Sequence, residues 1–219
     1  MTDSNSAQAR AVIVSGGHLG EWALEHILPG DFLIGADSGA DFLLQSGLRI
    51  DLAIGDFDSV PAGRLQTILA AAGEWRTVDP VDKDWTDTEL ALREAIRRGF
   101  RRILLLGGLG TRFDHSLANV HLLHQALIHQ CEAILIDEHN EIRLCAGACR
   151  IQADDRYPYV SLLPMTPRVT GINLTGFRYP LTNAELVMGQ SLGISNVLDA
   201  ECGMISVREG MLLVIRSRD

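Results

Sequence analysis

Two carboxylates one residue apart, Asp56 and Asp58, stand at the end of an apolar run, Leu52-Ala53-Ile54, that closes in Gly55. If the chain stays extended through them, both side chains leave the same side, roughly 7 Å apart. Like charges so placed repel, and a divalent cation removes the conflict. Oxygen-only ligands suit Mg²⁺, which takes one or two carboxylates and completes its shell with water and phosphate oxygens. The rival reading is a helix start, with Asp58 or Ser59 capping a helix-like segment that opens at Ser59-Val60-Pro61. What else arrives at the same place decides between them.

Four more polar stretches carry residues of matching chemistry. Ser15-Gly16-Gly17 and Gly107-Gly108-Leu109-Gly110 could bring backbone amides close to phosphate oxygens, or be plain tight turns. Asp37, in Gly35-Ala36-Asp37-Ser38-Gly39, either holds a ligand or caps the next helix. In Asp82-Lys83-Asp84-Trp85-Thr86-Asp87-Thr88-Glu89, Asp87 is the candidate third metal-side acid, with capping as its alternative and Thr86 or Asp84 as rival caps. Lys83 is a candidate phosphate contact. Thr111, Arg112, Phe113, Asp114 and His115 follow the second glycine stretch. Arg112 can grip phosphate oxygens in a fork, and Asp114 can hold that guanidinium or meet substrate. Asn119, one turn after His115, can face the same side. Neither glycine stretch fits Gly-x-Gly-x-x-Gly or the P-loop spacing.

The elements around these stretches explain why they belong together. Strands are expected over residues 10–15, 32–36, 52–55, 75–78, 103–106 and 133–136. Helices are expected over 21–28, around 41–45, and over 64–72, 87–98 and 116–130. In the helix over 87–98 the spacing turns Leu90, Ala91, Ala95 and Ile96 inward. Apolar strands alternating with helices indicate a parallel sheet covered on both faces. Each polar stretch directly follows a strand, so all five come to one edge, where such sheets bind ligands. Acids for a cation, with cations and amides for a polyphosphate, equip that edge for phosphoryl chemistry without a covalent enzyme nucleophile.

Beyond about Asn140 the chain changes character. Short alternating segments (142–144, 149–152, 159–163, 168–173, 203–207 and 212–216) are punctuated by Pro and Gly, and Glu209-Gly210 reads as a hairpin turn between the last two. The expected architecture is a doubly wound, mainly parallel α/β domain over residues 1–140, then a small antiparallel β-sandwich over 141–219. The net charge of −9 over 219 residues argues against a general nucleic-acid surface. No apolar run approaches a membrane span, and Met1 to Arg10 reads as a loose polar tail rather than a signal peptide. Four cysteines without zinc-like spacing read as reduced thiols, in keeping with a cytoplasmic protein.

The ordered set Gly-Ala-Asp-Ser-Gly, Gly-Asp-Phe-Asp-Ser, Lys-Asp-x-Thr-Asp-x-Glu, Gly-Gly-x-Gly-x-Arg-x-Asp-His and a late Gly193-Ile194-Ser195-Asn196 resembles the thiamine pyrophosphokinase family, over residues 12 to about 215. The resemblance implies diphosphate transfer from ATP to the thiamine hydroxyl with Mg²⁺, giving thiamine diphosphate and AMP. It further implies a homodimer with the active site at the interface. Carried onto matching positions, it makes Asp56, Asp58 and Asp87 the metal acids. It places Lys83, Thr86 and Arg112 near the polyphosphate, with Asp37 and Asp114 in support; Gly16, Gly17, Gly108 and Thr111, from the two glycine stretches, complete the candidate phosphate-binding set. Asp114, Ser195 and Asn196 would meet thiamine, and Asp87 or Asp114 would take the hydroxyl proton. Three features depart from the pattern: Trp85 within the lysine–aspartate motif, and Leu109 and Thr111 in the glycine loop. A Mg²⁺-dependent phosphohydrolase and a non-catalytic nucleotide or thiamine sensor are the rival readings.

Overall fold

The computed structural model describes residues 9–61, 63–77 and 84–219. Lys83, Asp82 and nearly all of the N-terminal tail lie outside that range. The chain divides into two compact units, Met1–Glu138 and His139–Asp219.

In the first unit the order is β1 (Arg10–Val14), α1 (Glu21–Leu24), β2 (Phe32–Ala36), α2 (Ser38–Gln45), β3 (Ile50–Gly55), α3 (Leu65–Ala71), β4 (Ala72–Thr77), α4 (Asp87–Arg97), β5 (Arg102–Leu106), α5 (Phe113–Ile128) and β6 (Glu132–Ile136). The strands pair in parallel in the order β6-β5-β1-β2-β3-β4. The central ones are apolar because both faces are covered: Ala11 to Val14 and Leu105-Leu106 are fully buried. The winding direction reverses between β1 and β5, and the crevice outside that reversal is where a sheet of this kind takes its ligand.

Several local expectations are corrected. The chain passes from α3 straight into β4, so Gly73 lies inside a strand rather than closing the helix. β4 is an exposed edge strand, with Trp75 54% accessible, not an apolar strand covered on both faces. In α4 the buried positions include Thr88, Leu92 and Glu94 beside Ala91 and Ala95, while Leu90 and Ile96 are only half-buried. α1 is a single turn, ending four residues before the expected point.

The second unit holds β7 (Asn140–Cys145), β8 (Ala148–Gln152), β9 (Tyr159–Pro164), β10 (Arg168–Thr175), β11 (Leu181–Val187), β12 (Asn196–Val197), β13 (Cys202–Ser206) and β14 (Leu212–Ser217). β12, β9, β14 and β7 form one antiparallel array and β11, β10, β13 and β8 the other. Their inner faces share one core, in which Val160, Leu162, Leu212 and Val214 of the first array meet Ile151, Val169, Ile172 and Ile205 of the second. Glu209-Gly210 is not a hairpin turn. β13 pairs with β10 and β8, whereas β14 pairs with β7 and β9, so the turn carries the chain from one array to the other. The amides of Arg208 and Glu209 both bond to the Thr170 carbonyl, which holds the crossover against β10.

Candidate active site

The crevice at the carboxyl ends of β1, β2, β3 and β5 encloses about 700 Å³. Its floor depends on close backbone approach. The Gly17 and His18 amides donate to the carbonyls of Gly107 and Leu109, both at 2.8 Å. A Cβ on Gly17 would fall 2.3–2.4 Å from those same carbonyl oxygens. The two glycine stretches therefore interlock. Glycine here serves that contact, and the Gly17 amide is not aimed at a ligand; Gly16 and Gly108 line the crevice. The second loop is held from α5: the Asn119 amide donates to the Gly108 carbonyl at 2.7 Å, and Ser116 Oγ accepts from the Gly110 amide at 3.0 Å. Sequence reading placed Asn119 on this side and overlooked Ser116, whose position one turn into the helix was the available signal.

The acids gather through a turn, not an extended strand. Gly55 takes φ +144°, and Phe57, 5% exposed, takes φ +59°, a left-handed conformation held by burial of its ring. The chain folds back so that the Asp58 amide donates to Asp56 Oδ1 at 3.2 Å. No helix opens at Ser59: α3 begins at Leu65, and Ser59 Oγ donates to Asp58 Oδ1. The capping reading of Asp58 and Ser59 thereby falls away.

Asp37 joins them. It occupies the N-cap position of α2 with φ +50°, yet its side chain makes no capping bond, and its buried Oδ1 has no hydrogen-bond partner among the described residues. Its amide bonds to the Ile54 carbonyl at 3.0 Å, continuing the β2–β3 pairing past the end of β2. Carboxylate oxygens of Asp37, Asp56 and Asp58 lie within 4.8 Å of one another. Asp87 is not one of that trio. Its carboxylate lies beside Gly55, where a Cβ would come 3.3 Å from Asp87 Cγ. An orphaned buried oxygen within a set of hard oxygen donors fits a divalent cation.

The remaining expected residues divide by position. Thr86 lines the crevice and caps α4, its Oγ1 accepting from the Glu89 amide at 3.2 Å. Thr88 Oγ1 donates to Ser15 Oγ at 2.9 Å, fixing the start of α4 against the end of β1. Thr111 and Arg112 line the crevice, and Arg112 forks onto Asp114 at 2.7 and 3.3 Å. That guanidinium holds the exposed Asp114 carboxyl below its usual range. Trp85 lines the same crevice.

In the second unit Ser195 is exposed, with φ +56° and its amide donating to Ser161 Oγ at 3.0 Å. Asn196 is buried and committed internally. Its Oδ1 accepts from the amides of Tyr179 and Val197, and its Nδ2 donates to the Tyr179 carbonyl at 2.8 Å. An apolar cavity of about 280 Å³ lies alongside, lined by Tyr179, Leu181, Leu192 and Ile194. No helix among the described residues is long and apolar enough to cross a membrane.

Two family models match the chain in order. Residues 26–135 match the family model described as thiamin pyrophosphokinase, catalytic domain, and residues 148–212 match thiamin pyrophosphokinase, vitamin B1 binding domain. The thiamine pyrophosphokinase of Bacillus subtilis is 36% identical over 187 residues, covering 85% of this chain and 87% of that protein. A crystal structure of the Bacillus subtilis enzyme superposes with a TM-score of 0.89 at 33% identity over 96% of this chain and 99% of its own. That of the Geobacillus thermodenitrificans protein gives 0.86 at 35% identity, with 96% and 98% covered. With both family models matched in order along one chain, and a relative this similar over most of its length, the chain belongs to the thiamin pyrophosphokinase family.

Proposed function

We propose that this chain transfers the terminal diphosphate of ATP to the hydroxyl of thiamine, releasing AMP. The observation that carries the reading is the convergence of Asp37, Asp56 and Asp58 at the carboxyl ends of β2 and β3, with Asp37 Oδ1 buried and unpartnered among the described residues. Asp37, Asp56 and Asp58 would hold Mg²⁺, with Asp87 as the adjoining acid. When bound, the cation offsets charge on the phosphoryl oxygens. The exposed Arg112 offers the polyphosphate a planar donor fork, and Asp114 keeps that fork oriented until substrate arrives. Lys83, outside the described residues, is assigned to the polyphosphate on sequence alone.

The thiamine hydroxyl attacks the β-phosphorus, and the bond from that phosphorus to the α/β bridging oxygen breaks. The hydroxyl proton goes to Asp87 in this reading, because Arg112 lowers the basicity of Asp114. The first unit is the nucleotide side and the second the thiamine side. Ser195, exposed next to the apolar cavity, would meet the aminopyrimidine, while Asn196 holds the Tyr179 segment that forms the cavity wall. The working form is a cytoplasmic homodimer whose interface contains the site. Phe113 and Leu117, 76% and 42% exposed one turn apart on α5 beside Arg112, are surface that a second copy would cover.

The test is incubation with thiamine and Mg·ATP, following AMP and thiamine diphosphate together. Equal yields of the two are expected. ADP with a monophosphate product, or phosphate release independent of thiamine, would overturn the reading. Sedimentation of the purified protein tests the dimer: the mass of a single chain at micromolar concentration refutes it.

A further inference from the structure

Among the described residues lining the crevice, Trp85 is the only Phe, Tyr or Trp, and it is 43% exposed there. A large ring left in water gains nothing from burial, yet this one is held in place. The Arg93 guanidinium sits 4.7 Å from its ring centroid. Arg93 Nε bonds to Glu89 Oε1 at 2.9 Å, and the same oxygen accepts from Gln125 Nε2 at 2.8 Å. The ring is thus tied through α4 to α5, with a cation over one face and the crevice beside it. At about 700 Å³ the crevice is large enough for a whole nucleotide rather than a triphosphate alone.

We propose that Trp85 is the platform on which the nucleobase of the phosphate donor stacks, and that Arg93 positions it. The assignment rests on the diphosphotransfer reading for the identity of the donor. The base is the better partner than the thiazolium of thiamine because its rings are neutral, and the neutral aminopyrimidine is already assigned to Ser195. A thiazolium would have to stack on a ring that already carries a guanidinium on its other face. Stacking of this kind is tolerant of base identity. Trp85 therefore distinguishes a nucleotide from a bare polyphosphate, and contributes equally to ATP and GTP.

Two measurements test this. Replacing Trp85 by Ala should raise KM for ATP about tenfold, and that for GTP by the same factor. KM for thiamine and kcat should stay within about twofold, and Trp85→Phe should restore most of the ATP affinity. Arg93→Gln should raise KM for ATP by a smaller factor with kcat retained. Independently, Mg·ATP should quench tryptophan fluorescence where Mg²⁺ with inorganic tripolyphosphate does not, and Trp85→Phe should abolish that quenching. An unchanged KM for ATP in Trp85→Ala overturns the proposal, as does a rise confined to thiamine, which would assign the ring to the acceptor. If the wild-type protein forms no thiamine diphosphate, the diphosphotransfer reading fails, and the fluorescence titration still judges Trp85 by itself.

Discussion

Replacing Glu94 by Gln should remove a pH-dependent clamp on the helix that carries Asp87. Glu94 is 5% exposed and accepts from Arg97 Nη2 at 2.7 Å, Arg97 Nε at 2.8 Å and Arg98 Nε at 2.8 Å. Arg98 also forks onto Glu74 of β4, at 2.6 and 3.0 Å, so the network ties α4 to the sheet edge. Arg97 first, then Arg98, holds the Glu94 carboxyl down from its ordinary 4.5 to about 2, against the opposing effect of burial. At about 1.4 kcal/mol per pH unit, that drop corresponds to at most about 3 kcal/mol of folding stability. Arg97 is 68% exposed and screened by water, which lowers the figure to roughly 2 kcal/mol. The folded state binds the proton less readily than the unfolded chain. The contribution is therefore complete above the unfolded value of 4.5 and disappears as pH falls toward about 2. All three tryptophans, Trp22, Trp75 and Trp85, lie in the first unit, so urea unfolding followed by their fluorescence reports that unit. The wild type should exceed Glu94→Gln by roughly 2 kcal/mol at pH 7, with the gap narrowing below pH 4.5. A gap that stays constant from neutral pH into that acid range would show that packing, not charge, explains the difference.

Further outcomes are expected. Asp37→Asn and Asp56→Asn should each lower turnover with thiamine and Mg·ATP at least ~100-fold, and remove the rise in melting temperature that Mg²⁺ gives the wild type; near wild-type rates would sink the cation assignment. Gly39→Ala places a Cβ 1.8 Å from the Val14 carbonyl oxygen, so α2 must withdraw from β1. A loss of about 1–3 kcal/mol in urea unfolding should follow, with reduced activity because Asp37 opens that helix; an unchanged midpoint refutes the close approach. Asn196→Ala strips the Tyr179 amide and carbonyl of their partner. It should cost about 1–3 kcal/mol by circular dichroism melting and raise KM for thiamine more than for ATP; a rise confined to ATP would contradict the division of substrates between the two units.

The parallel sheet was legible because burial on both faces forces strands such as Ala-Val-Ile-Val and Ile-Leu-Leu-Leu to be apolar throughout. Elements at the edges carry no such signal. β4, Ala-Gly-Glu-Trp-Arg-Thr, is exposed along nearly its whole length and starts without a loop, so its glycine reads as a helix stop. β11, Leu-Thr-Asn-Ala-Glu-Leu-Val, is an edge strand with a left-handed Asn183 and went unseen, as did the two-residue β12. The turn at Glu209-Gly210 has hairpin chemistry, and only tertiary pairing separates the strands on either side of it.

The site shows the same division. That polar loops converge on one sheet edge follows from strand periodicity alone. Which acids touch does not, because it depends on how the chain turns after the strand. Extension through Asp56 and Asp58 would have set their side chains roughly 7 Å apart. The left-handed Phe57 folds the segment back instead, a conformation that the buried ring supports and residue type alone does not suggest. Register brings Asp37 only part of the way: Ala36 pairs with Ile54, so the residue after β2 stands level with Gly55. Side chains alternate between the two faces of a sheet, so Asp37 and Asp56 would leave opposite sides if both strands ran on extended. The positive φ of Gly55 and of Phe57 breaks that alternation. The Asp37–Asp56 meeting is therefore a property of the turn after β3, and the approach of Asp87 depends on the separate anchoring of α4 through Thr88 and Ser15.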